Sequence, residues 1–144
     1  MNLSEHFSLE ELTHSDLAAR KGINNDPSSD VLDNLRRLAN LLEQVRKCLG
    51  KPISINSGFR CKQLNDAVGS KDTSQHMIGC AADIRVSGMT PDQVVKAIIQ
   101  SNIQYDQMIR EFDSWVHISV PNKPDQTPRN QTLIIDKSGT RSYS

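Results

Sequence analysis

The chain is expected to adopt an α+β fold, an antiparallel sheet with helices packed on one face. Three features predict it. Helical periodicity is confined to the N-terminal third and one later segment. Short stretches of alternating apolar and polar residues dominate the second half. The 144 residues are one domain's length, enough to bury roughly 70% of the unfolded surface without cross-links.

Taken in order, Ser8 and Glu11 have the spacing of a capping box, where each side chain satisfies a free backbone donor. They predict a helix from Leu9 to Ala19, ended by Gly22 and followed by a loop to Ser29. Leu35, Leu38, Leu42, Val45 and Leu49 recur at three- and four-residue steps and predict an amphipathic helix from about Val31 to Leu49. Asp30 is placed to cap its start and Gly50 its end. Pro52 opens a short strand, Ile53 to Asn56. From Ser57 to Cys80 the chain is polar and has no period, which predicts a long ordered loop with one helical turn near Gln63 to Ala67. Such loops usually carry function. Ala81 to Val86 reads as a strand. Thr90 before Pro91 starts a helix running to about Ser101. Tyr105 to Glu111 and Trp115 to Val120 form a hairpin, and Thr132 to Ile135 a last strand after a Pro-rich loop. The tail beyond Lys137 is expected to fray. The expected organisation is a single domain over 1–144, with helices in 1–50 and a motif-bearing sheet in 52–136.

Composition excludes several roles. Lys plus Arg and Asp plus Glu both number 17. A neutral chain has no basic face to release phosphate counterions, so neither nucleic acid nor an anionic membrane is an expected partner. No apolar run approaches the ~18 residues of a membrane span, and the N-terminus lacks a secretory leader pattern. Three irregularly spaced cysteines are no disulfide framework and suit a reducing compartment.

The four histidines are scarce enough to be informative. Along Ala81 to Val86, Asp83 lies on the face opposite Ala82, Ile84 and Val86. Along Trp115 to Val120, His117 lies opposite Val116, Ile118 and Val120. If both strands share a sheet, Asp83 and His117 converge, and His76 joins them from the loop. Two imidazoles and a carboxylate make a catalytic zinc set with one position left open, and they also suit non-haem iron. The plain alternative is a hydrogen-bonded strand-end Asp and a core His. Cys61 and Cys80 flank the motif, as additional thiolate ligands or as buried free thiols.

Ser74-x-His76-x-x-Gly79-x-Ala81-x-Asp83 resembles the zinc-ligand signature of the D-alanyl-D-alanine carboxypeptidase and L-alanyl-D-glutamate endopeptidase family, peptidase M15, which shares its fold with the Hedgehog signalling domain. Ser57-Gly58-Phe59-Arg60 with Asn65, and Trp115-Val116-His117, resemble two further segments of that family. The likeness runs from about Pro52 to Val120, and the N-terminal helices resemble those of small phage members. It implies a Hedgehog/DD-peptidase-like fold and Zn2+ held by His76, Asp83 and His117. It implies Arg60 as the group that binds a substrate carbonyl or carboxylate and steadies the oxyanion, a role suited to a permanently charged guanidinium. Ser74 is a candidate to orient His76 or the substrate, and Trp115 to wall the cleft.

One position departs from the pattern. Many members carry a Glu or Asp as general base three residues before the last His, and here that residue is Ser114. A serine cannot take a proton from water at neutral pH. The candidates are Glu111 and, as the alternative, Asp113. A three-residue hairpin loop pairs Glu111 with Trp115 and puts it on the His117 face; a two-residue loop turns Arg110 there instead.

The resemblance implies zinc-dependent hydrolysis of an amide bond in peptidoglycan stem peptides by an enzyme of the phage or prophage lysis type, and a monomer is expected. Such an enzyme is made in the cytoplasm without a leader and acts after release, or travels in a virion. The other class of reading is a zinc-containing wall- or protein-binding module without catalysis.

Overall fold

The computed structural model describes residues 1–143. Helices α1 (Leu9–Thr13), α2 (Asp16–Lys21) and α3 (Ser29–Leu49) are followed by strand β1 (Ile53–Ser57) and helix α4 (Lys62–Ala67). A 3-10 turn at Gln75–Ile78 leads into β2 (Ala81–Val86), and helix α5 (Pro91–Ser101) precedes β3 (Gln107–Glu111) and β4 (Trp115–Ser119). Strands β5 (Gln131–Asp136) and β6 (Gly139–Ser142) complete a six-stranded sheet of order β1-β2-β4-β3-β5-β6.

The α+β class holds, with four differences in detail. The first helix is two. Ser15 takes extended backbone and its side chain accepts from the Ala18 N–H, so it starts a new helix where continuation was expected. Helix α3 is capped by Ser28 rather than Asp30, with the Ser28 side chain accepting from Val31 N–H. The sheet is not wholly antiparallel, because β3 and β5 pair in parallel. The end of β4 and the start of β3 lie at the same end of the sheet. The 121–130 loop brings the chain back beside the start of β3, where Asn130 N–H donates to the Tyr105 carbonyl and Gln131 N–H to the Asp106 carbonyl, and β5 then runs in β3's direction. Lastly, the tail does not fray: β6 pairs with β5, and the Arg141 guanidinium holds Asp136 through bonds of 2.8 and 2.9 Å.

The core lies between one sheet face and the helices. Ala82, Ile84 and Val86 of β2 and Val116 and Ile118 of β4 are buried with Leu35, Leu38, Leu42 and Val45 of α3 and Val94, Val95 and Ile98 of α5. Burial of a side chain of this size contributes about 1.5–3 kcal/mol. The opposite face of β2 and β4 carries the polar residues and meets the 57–80 segment.

Candidate metal centre

Strands β2 and β4 are neighbours, and their register sets Asp83 directly opposite His117. The 3-10 turn delivers His76 to the same place. Ligand atoms of His76, Asp83 and His117 all lie within 4.8 Å of one another, a geometry that could hold a metal ion. His76 Nε2 is 3.3 Å and His117 Nδ1 3.1 Å from Asp83 Oδ1. His76 and His117 are 3% and 8% exposed.

The surroundings orient His76. Its Nδ1 lies 2.7 Å from the Gly58 carbonyl. A carbonyl only accepts, so Nδ1 carries the proton and Nε2 offers its lone pair toward Asp83. Gly79 ends the turn at φ 78°, and a Cβ there would come within 2.9 Å of Val31 Cγ1. Gly58 has no room for a side chain either, since a Cβ would collide with the Leu12 backbone. Burial pushes the Asp83 carboxyl up, but the His117 and His76 rings beside it outweigh that effect and hold it well below the usual carboxylate range.

Arg60 is half-buried beside the centre. Its Nη2 donates toward Ser74 Oγ at 3.3 Å and Ser70 Oγ at 3.4 Å, and its Nε is buried without a partner. Burial lowers its pKa, and the nearby charges of Asp83 and Glu111 oppose that shift. Ser74 Oγ also accepts from the His76 backbone N–H at 3.2 Å, so one hydroxyl touches both residues. Asn65, fully buried, donates to the Lys71 carbonyl at 3.0 Å and shapes the loop between them.

The hairpin loop has three residues, Phe112 to Ser114, and pairs Glu111 with Trp115. That parity puts Glu111 on the His117 face. Burial and the Asp83 charge push its carboxyl up, partly offset by His117, Trp115 and Arg60. The Trp115 indole N–H is buried near Glu111 but not in hydrogen-bonding geometry. Asp113 is exposed on the loop and pairs with Arg110 at 3.2 Å. Cys80 is buried, with its thiol 3.6 Å from the Pro121 carbonyl and 3.7 Å from Arg37 Nη2, and is not among the three grouped ligands. His6 pairs with Glu43 and His14 with Asp16, both outside the centre.

Two pockets flank this arrangement. A cleft of about 710 Å³ runs from His117 and Ser74 toward Asp106 and Arg129. A second, of about 320 Å³, is lined by Arg60, Phe59 and Ser57. Trp115 lines neither; it borders a third pocket and stacks obliquely against Phe112, ring centroids 6.1 Å apart.

One contributor escapes sequence reasoning. Asn25 donates to the Thr13 and Phe59 carbonyls, both at 2.9 Å, and accepts from the Cys61 N–H at 2.8 Å. It thus clamps the residues on either side of Arg60 to the N-terminal helices. An Asn in a polar loop carries no periodic or motif signal that would reveal this.

Fold and site together define an α+β protein with a His-Asp-His metal-site geometry on one sheet face. The chain belongs to the peptidase M15 family, whose model matches residues 5–119. It is also similar to the zinc D-Ala-D-Ala carboxypeptidase of Streptomyces albus G, 46% identical over 44 residues. That match covers 30% of this chain and 17% of the relative's length.

Proposed function

We propose that the protein is a zinc peptidase that hydrolyses an amide bond in peptidoglycan stem peptides. The observation that carries this reading is the convergence of His76 Nε2, Asp83 Oδ1 and His117 Nδ1 beside Glu111 and Arg60. The family supports a peptidase, and the relative's name supports zinc and a D-Ala-D-Ala peptide. Two neutral imidazoles and a carboxylate are a zinc donor set, and the Gly58 carbonyl already fixes the tautomer that His76 needs.

Zinc bound there supplies Lewis acidity, polarising the scissile carbonyl and acidifying water at neutral pH. Arg60 donates to the carbonyl oxygen as negative charge grows on it. Glu111, its pKa raised by burial, removes a proton from the attacking water and passes it to the departing amine. The lysis setting, with action after release or from a virion, forms part of the same proposal.

The test is turnover. Zinc-loaded protein incubated with purified cell walls should release peptides or D-alanine, and a chelator should stop the release until zinc is restored. A stoichiometric zinc preparation that leaves every wall fragment intact would falsify the catalytic reading.

A further inference from the structure

The 121–130 loop crosses the sheet end beside β3, and its anchor shapes the larger cleft. Asp106, 5% exposed, accepts from Arg129 Nε at 3.1 Å and Nη2 at 2.7 Å. It accepts also from the Arg129 backbone N–H at 3.3 Å and from Gln75 Nε2 at 3.1 Å. Its oxygens are thereby used up and turned away from solvent. The Arg129 side chain is 55% exposed, and Nη1 is the guanidinium nitrogen left out of that pairing.

Apart from this pair and His117, the cleft wall is neutral, with Thr73, Gln75, Gln107, Asn122 and Thr127 presenting amides and hydroxyls. An entering anion therefore meets one guanidinium and no unpaired carboxylate. Asp106 donates its backbone N–H to the Ser119 carbonyl at 2.8 Å, and Ser119 lies two residues from His117 along β4. That is about 7 Å of strand, comparable with two extended peptide residues.

We infer that this cleft is a subsite for a peptide bearing a free carboxylate about two residues from the scissile amide, with Arg129 as the residue that selects it. The inference rests on the proposed peptide hydrolysis. Asp106 holds the guanidinium in place before substrate arrives, which reduces the ordering cost of binding. A planar fork suits a carboxylate better than a point charge does.

The test uses two peptides of one sequence, identical except for carboxylate or carboxamide at that position. The zinc-loaded wild type should favour the acid by about tenfold in kcat/KM, chiefly through KM. Arg129→Met should bring the ratio close to one, and Arg129→Lys should keep part of it. Calorimetric titration of the metal-free protein with the same peptides reads the preference without turnover. Equal handling of both peptides by the wild type overturns the subsite. So does an undiminished preference in a folded Arg129→Met protein, which would leave the Asp106–Arg129 pair as a loop clamp. Discrimination in binding with no turnover of either peptide supports the subsite and sinks the catalytic reading instead.

Discussion

The two faces of the β2–β4 pair are held by different physics. Behind, Ala82, Ile84, Val116 and Ile118 are 0–1% exposed and pack on α3 and α5. Their contribution scales with area and is indifferent to direction. In front, Asp83, His117 and Glu111 meet a segment attached through individual hydrogen bonds, among them Phe59 N–H to the Leu12 carbonyl at 2.7 Å and Arg60 N–H to the His76 carbonyl at 3.0 Å. Apolar packing tolerates small shifts, whereas a metal centre requires atoms placed to a few tenths of an ångström. The back face makes the sheet, and the front face uses it as a rigid base.

Breaking each face separately should separate stability from activity. The largest effect is expected from His117→Ala, which removes a ligand atom: zinc content should fall and turnover drop by about a thousandfold or more, while the circular dichroism spectrum persists. Elemental analysis beside the rate assay checks both halves. Glu111→Gln follows, with a loss of about 10²–10⁴-fold in turnover and zinc retained. Near-normal rates in that protein would remove Glu111 from the mechanism and return attention to Asp113.

Ile118→Ala strikes the back face and should cost about 2–5 kcal/mol of stability in urea unfolding, with zinc affinity nearly unchanged while the protein is folded. Asn25→Ala strikes the front attachment. Losing its hydrogen bonds should cost about 1–3 kcal/mol and also lower turnover, since Arg60 loses its clamp. If Asn25→Ala reduced stability alone, the front face would not depend on these directional bonds in the way described.

The smallest effect should appear only in acid. Burial pushes Asp106 up, but the Arg129 hydrogen bonds dominate and hold its carboxyl below the ordinary value. Its stabilisation is therefore present above the unfolded pKa of about 3.9 and is lost as pH falls through the lower folded value. Asp106→Asn should flatten the stability profile below about pH 4. Urea midpoints measured from neutral pH downward read this directly.

Much of this was legible in the residues. Helix α5 has its Thr90 cap and Pro91 start where the local pattern places them, and β2 spans Ala81–Val86 as alternation predicts. Strand β6 was not legible: Gly139 to Ser142 is exposed and polar, and its order comes from pairing with β5. The break at Ser15 turns on a local competition between continuing a helix and capping a new one, which periodicity does not resolve.

The sequence by itself determined which side chains share a face, because a strand's period of two is a property of the backbone alone. It therefore put Asp83 and His117 each on a polar face with His76 in the loop before them, whereas Arg60 stood out only through the family resemblance. Only the tertiary structure decided that β2 and β4 are adjacent in a register opposing Asp83 to His117. It also decided that a three-residue loop turns Glu111 toward them, and that Asn25 and Arg129 stand close by. Strand adjacency, loop parity and contacts between distant segments depend on long-range packing, and local preference does not encode them.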